Sequence, residues 1–235
     1  MWPDKAAARV MAQLRDQFLV KTLVETGTAH GIGARYWAQL FPIVLSCDTE
    51  EEMLAVARRK VLGAGKIFLH RMPSPKFLTW FREWYERDGR QDYVAFLLDA
   101  HWYVDWPILG ELQALKGFTR AIVVIHDFKA PGLGYVSYNG QDLDWDYVKA
   151  DLMAVNPGFH FYHNTREGCD IVTPAEVAAG RVPGLVWDKE TRHVLENIVW
   201  ESERRAYRGI LYAVPEPLPE SLGLKELKHG PRPDG

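Results

Sequence analysis

Cysteine is nearly missing: the 235 residues contain two, Cys47 and Cys169. Neither belongs to a C-x-x-C pair, which excludes a zinc ribbon and a thioredoxin-type redox site. One long-range disulfide fits the count, but two free thiols in a reducing compartment is the simpler reading. Long apolar runs are missing too. No stretch approaches the roughly 18 residues that a membrane-spanning helix needs. The N-terminus lacks the basic-then-apolar order of a signal peptide. A soluble, cytoplasmic protein without a membrane partner is expected. Basic charge is not in excess: 28 Lys and Arg stand against 31 Asp and Glu, for a net charge of −3. Nucleic-acid binding calls for a basic face, so no such partner is expected. The signatures HExxH, GxSxG and GxxxxGK are absent, which removes a zincin, a hydrolase nucleophile elbow and a phosphate loop. Asp142, Asp144 and Asp146 imitate the start of a calcium loop. Tyr147 stands where that loop requires Gly, and Met153 where it requires Glu.

Hydrophobic residues make up 47% of the chain and charged residues 25%, as in an ordinary globular domain. Short apolar runs alternate with helical spacing from the N-terminus. Residues 5–18 read as a helix, followed by a strand within 18–24 that ends at Glu25. Further strands are expected at 42–46, 66–70, 93–98 and 121–125. Helices are expected at 34–40, from a Thr49 N-cap to about 62, at 76–87 and at 106–115. Continuously apolar strands alternating with helices imply a parallel sheet covered on both faces. Beyond residue 127 the reading places a helix at 146–153, a strand at 159–163, a short helix at 174–179, a helix at 189–207 and a last strand at 208–214. The expectation is an α/β, Rossmann-like three-layer sandwich with a mainly parallel seven-stranded sheet over residues 1–214. Residues 215–235 are expected to be a Pro-rich mobile tail.

In parallel sheets, ligands bind beyond the carboxyl ends of the strands. Here those ends carry Glu25, Asp48, Asp99, His126 and Asp127. The first is followed by Glu25-Thr26-Gly27-Thr28-Ala29-His30-Gly31-Ile32-Gly33, a glycine-rich passage from strand to helix. The G-x-G-x-x-G dinucleotide fingerprint fails there, because Gly31-x-Gly33 continues to Tyr36. What matches is E-x-G-x-x-x-G, with Asp48 closing the second strand. This resembles the class I, Rossmann-like superfamily of S-adenosylmethionine-dependent methyltransferases. The resemblance implies that Glu25, Gly27, Thr28 and Gly31 accommodate the methionine part of the cofactor, that Asp48 binds the ribose hydroxyls and that Asp99 borders the same site. The alternative is a tight turn and a helix cap.

A second constellation joins Asp99-Ala100-His101-Trp102 to Ile125-His126-Asp127-Phe128. Neighbouring strands would deliver both carboxylates to one rim. This is similar to metal-dependent small-molecule O-methyltransferases, and to a bacterial methyltransferase-like family of undefined substrate. The first resemblance implies that Asp99 and Asp127 hold Mg2+ while His101, His126 or Asp127 takes part in catalysis on a small-molecule hydroxyl. The usual second acid or Asn beside the fifth-strand Asp is missing, so the metal stays open at this point. Two alternatives remain: a methyltransferase-like fold with a non-catalytic binding role, and an iron oxygenase built on two histidines and a carboxylate. The acceptor and a homo-oligomeric state are not readable.

The chain has ten Phe, ten Tyr and nine Trp. Phe77, Trp80, Phe81, Trp84 and Tyr85 follow helical spacing. Trp102, Tyr103, Trp106, Tyr135, Tyr138, Trp145 and Tyr147 flank the acidic strand ends, where they would line an acceptor pocket or pack in the core.

Overall fold

The computed structural model describes residues 4–101, 106–134, 141–165, 170, 172–193 and 209–228. Helix α1 (Lys5–Phe18) starts where the Asp4 carboxylate accepts the backbone N–H groups of Ala6 and Ala7. It buries Ala7, Val10, Met11, Leu14 and Phe18, one stripe of a 3.6-residue period. Strands β1 (Thr22–Thr26), β2 (Ile43–Asp48), β3 (Lys66–Arg71), β4 (Val94–Leu98) and β5 (Ala121–Phe128) then alternate with α2 (Ile32–Trp37), α3 (Glu51–Lys60), α4 (Ser74–Arg87) and α5 (Ile108–Ala114). The chain continues through α6 (Trp145–Val155), β6 (His160–His163), α7 (Pro174–Ala178), β7 (Gly209–Val214) and β8 (Lys225–Glu226).

The strands form one sheet in the order β3-β2-β1-β4-β5-β7-β6-β8. β1 to β5 pair in parallel, while β7 runs antiparallel to both β5 and β6. The order reverses between β1 and β4, the switch point where a crevice opens at the carboxyl ends. Two apolar layers sandwich the sheet. One joins α1 and α2 to Leu23, Val44, Leu97 and Val124. The other joins α4, α5 and α6 to Val24, Phe96, Val123 and Ile125. The Rossmann-like three-layer expectation holds. Its reason is visible in β4 and β5, whose residues are buried on both faces.

Three differences from the sequence reading carry a physical reason. Among the described residues the sheet has eight strands rather than seven. The extra one, β8, lies in the segment expected to be a mobile tail. That segment docks because Leu218, Leu222 and Leu224 pack on one core layer and Leu227 on the other. Prolines mask these spaced leucines in a composition-based reading. Second, Thr49 does not cap α3; the Asp48 carboxylate instead accepts the Glu50 N–H at 3.0 Å, a charge-assisted bond stronger than one to a neutral hydroxyl. Third, β5 runs past Ile125 to Phe128 and carries a bulge between His126 and Phe128. The expected helix at 189–207 falls mostly outside the described residues.

The aromatic face of α4 divides. Phe77, Phe81 and Tyr85 are buried, whereas Trp80 is exposed and lies near-parallel to Trp84, which is half-buried against the core. Among the described residues, no helix is long and apolar enough to cross a membrane.

Candidate functional site

The turn after β1 is shaped by contacts below it. Gly27 adopts φ +82, and a Cβ there would lie 2.7 Å from the Asp99 carbonyl oxygen. Gly31 adopts φ +75, and its Cβ would lie 2.9 Å from the Ala57 Cβ of α3. Both positions need left-handed backbone and close approach, which glycine alone provides without strain. The crowding comes from the chain itself. Glu25 is 1% exposed and sits beneath the turn. The Ser46 hydroxyl donates to Glu25 Oε2 at 2.7 Å, and Thr28 Oγ1 lies 2.7 Å from Ser46 Oγ. Burial pushes the Glu25 carboxyl up from its usual range. Glu25 and Thr28 thus brace the turn from inside; the sequence alone places Glu25 at the cofactor.

Asp48 closes β2 at the same rim. Its Oδ2 accepts the Ala29 N–H at 2.8 Å and its Oδ1 the Glu50 N–H. A carboxylate offers about four lone-pair sites. Each oxygen therefore retains a lone pair for one of two adjacent hydroxyls, and the residue fits a ribose. His30, in the same turn, is pushed toward its neutral form by burial and by Lys60.

The second constellation comes together as expected at the ends of β4 and β5. His126 Nδ1 lies 2.7 Å from Asp99 Oδ1 and 3.1 Å from Asp127 Oδ1. The bulge explains how adjacent residues share one site. Side chains of an unbroken strand point to opposite faces. Asp127 instead takes φ 58, a left-handed conformation, and its carboxylate turns back toward the imidazole. His126 is 5% exposed and the two aspartates 11% and 14%. His101 stands at the edge, with Nε2 3.9 Å from Asp127 Oδ2. The Trp106 ring meets it edge-on at 5.9 Å.

One imidazole and two carboxylates place their ligand atoms within 4.8 Å of one another. Adjacent ligands of an octahedral ion bound at about 2.1 Å are about 3 Å apart, so the two short separations fit a divalent cation. The two-histidine, one-carboxylate iron arrangement is not what assembles, because His101 lies outside this group. Of the aromatics expected near the rim, Trp106 stands beside the site. Trp145 packs on Phe161 and Tyr147 on the α4–α6 core layer. Trp102, Tyr103, Tyr135 and Tyr138 lie outside the described residues.

Four polar residues near the rim are not among the expected site residues: Thr26, Ser46, Ser74 and Glu111. All are buried. Only Glu111 leaves a trace in the pattern, as an acid on the helix face that also carries Ile108 and Leu112.

No protein-family model matches the chain, and the search of curated proteins returns no match. Solved structures do match. The magnesium protoporphyrin IX methyltransferase of Synechocystis PCC 6803, solved with bound S-adenosylhomocysteine, superposes with a TM-score of 0.50 at 15% identity, over 90% of this chain and 82% of that one. A methyltransferase from Archaeoglobus fulgidus described as dependent on S-adenosylmethionine gives 0.44 at 10% identity, over 88% and 94%. An rRNA methylase from Streptococcus thermophilus gives 0.42 at 12% identity, over 68% and 87%. At 15% identity the first of these likenesses shows the fold alone: this chain has a Rossmann-like architecture like that of a solved methyltransferase.

Proposed function

We propose that this protein is an S-adenosylmethionine-dependent methyltransferase that methylates a hydroxyl of a small molecule. The observation that carries the reading is the Asp99–His126–Asp127 group, set at the ends of β4 and β5 next to the switch point and the braced glycine turn. When bound, the cofactor supplies an electrophilic methyl group. Asp48 accepts hydrogen bonds from its ribose hydroxyls. The Asp99 and Asp127 carboxylates beside His126 Nδ1 favour a proton on that nitrogen, which leaves the lone pair on Nε2. His126 Nε2 then takes the acceptor hydroxyl's proton, while Asp99 and Asp127 stabilise the imidazolium that forms. Holding acceptor and donor in line supplies much of the acceleration.

The same three residues could instead hold Mg2+. A divalent ion there would lower the pKa of a coordinated hydroxyl. The two arrangements exclude each other at His126 Nδ1, which either carries a proton or ligates.

Calorimetric titration with S-adenosylhomocysteine tests the cofactor half. Binding is expected, and Asp48→Ala should weaken it by at least about tenfold, the worth of a single hydrogen bond to a charged group. No heat and no thermal shift refutes the reading. Turnover over a library of hydroxyl acceptors tests the rest; cofactor binding without turnover favours a non-catalytic role. Activity that survives exhaustive chelation assigns Asp99 and Asp127 to His126 rather than to a metal.

A further inference from the structure

Helix α3 touches the candidate cofactor site at both ends. At its start, the Glu50 N–H donates to Asp48 Oδ1 at 3.0 Å. At its end, Ala57 and Val61 press against the glycine turn: a Cβ on Gly31 would lie 2.9 Å from the Ala57 Cβ and 3.3 Å from Val61 Cγ1. Whatever fixes α3 therefore fixes the ribose acid and the turn relative to one another.

Two basic side chains hold the end of α3 to a segment far along the chain. The Arg35 N–H of α2 donates to the Gly31 carbonyl at 3.0 Å. Its guanidinium donates to the Lys60 carbonyl, the last of α3, and through Nε to the Gly184 carbonyl at 2.8 Å. Carbonyls at a helix C-terminus lack partners within the helix, and a basic side chain supplies one. Lys60 reaches the same segment with its ammonium. Nζ donates to Asp188 Oδ2 at 2.5 Å and to Thr191 Oγ1 at 3.3 Å, and Glu190 Oε2 lies 3.8 Å away. The Lys60 side chain is 6% exposed, so dissolved salt screens this pair little. Asp188 serves twice, because its Oδ1 accepts the Thr191 N–H at 2.9 Å. Desolvation offsets much of the attraction in a pair this buried, so stability is a weak reason for it. We propose that Lys60 is a positioning residue for the cofactor: by clasping residues 184–191 onto α2 and α3, it holds Gly31 and Asp48 in the arrangement that binds. The coupling is reciprocal, so a bound cofactor must tighten the clasp by the factor by which the clasp tightens binding. The proposal rests on the reading that this turn and Asp48 bind the cofactor.

The test joins calorimetric titration with S-adenosylhomocysteine to hydrogen exchange, both on the full chain. Lys60→Met removes the ammonium and keeps a similar stem. Asp188→Asn removes the charge and keeps an oxygen for the Thr191 N–H. Each should weaken binding about fivefold, the lower end of usual coupling between two sites. The double variant should lose no more than the larger single loss, since the two residues act as one pair. In the wild type, saturating S-adenosylhomocysteine should slow exchange of the Thr191 and Arg192 amides, which both donate to Asp188, by about the same fivefold. A pair that only stabilised the fold would leave affinity and this ligand-dependent exchange unmoved. Unchanged affinity in the variants, losses that multiply, or exchange at 191 and 192 that ignores the ligand overturns the proposal. If Lys60→Met folds poorly, Asp188→Asn and the wild-type exchange still decide it. Absence of binding by the wild type overturns the cofactor reading itself, and the coupling with it.

Discussion

Replacing Glu111 by Gln removes an ionisable proton from the core with almost no change in shape. Burial raises the carboxyl from 4.5 to about 7 in the folded chain, whereas in the unfolded chain it stays near its ordinary value. Between those two values the folded state binds more protons than the unfolded one. Stability from this group therefore falls as pH rises through that window and is level on either side. A displacement of about 2.5 pH units at about 1.4 kcal/mol per unit corresponds to about 3–4 kcal/mol. Relaxation around the charge lowers that figure, but it remains a large share of the 5–15 kcal/mol typical of a domain. Urea unfolding of wild type and Glu111→Gln at about pH 4.5 and pH 8 measures it. The difference between the two proteins should move in favour of Gln by about 2–3 kcal/mol at the higher pH. Other titrating groups cancel in that difference. A gap that is the same at both pH values would falsify the assignment of a displaced proton to Glu111.

The glycine turn and the bulge give further expectations. Gly27→Ala combines a positive φ with a Cβ 2.7 Å from the Asp99 carbonyl; it should cost about 2 kcal/mol in chemical unfolding and abolish S-adenosylhomocysteine binding. Unchanged stability would mean that the turn and β4 are not in contact. Asp127→Gly relieves a left-handed residue and should match or exceed wild-type stability, while Asp127→Ala should fall below Asp127→Gly by about 1 kcal/mol. The reverse order would show that the backbone there is unstrained.

The layered sheet is legible in the sequence because β4 and β5 are apolar throughout, a pattern that burial on both faces imposes. Asp48 and Asp99 are legible for the same reason: each closes an apolar run at the rim of the sheet. The sharing of one site by His126 and Asp127 is not, since period-two alternation sends neighbours to opposite faces and a bulge leaves no residue signature. Glu25 shows the limit of a motif: the residue is where the pattern places it, yet its carboxyl bonds Ser46 inside the protein. Ser46 and Thr26 are ordinary strand residues until a partner strand supplies their bonds. Glu111 was detectable in principle, as one acid at buried spacing, but a single such residue on a short helix reads equally as a solvated face.

The two-residue strand β8 also governs how this sheet ends. It pairs Glu226 with Tyr162 and Lys225 with His163 on β6, covering backbone that would otherwise face water. The strand is too short and too charged to template another chain. At the opposite margin, β3 begins with Lys66 and ends with Arg71, both exposed. A fragment cut at Val214, where the last long strand stops, would uncover β6 along with Phe161 and Tyr162 and gain a sticky margin. Residues 215–228 belong in any shortened form meant to stay dispersed at high concentration.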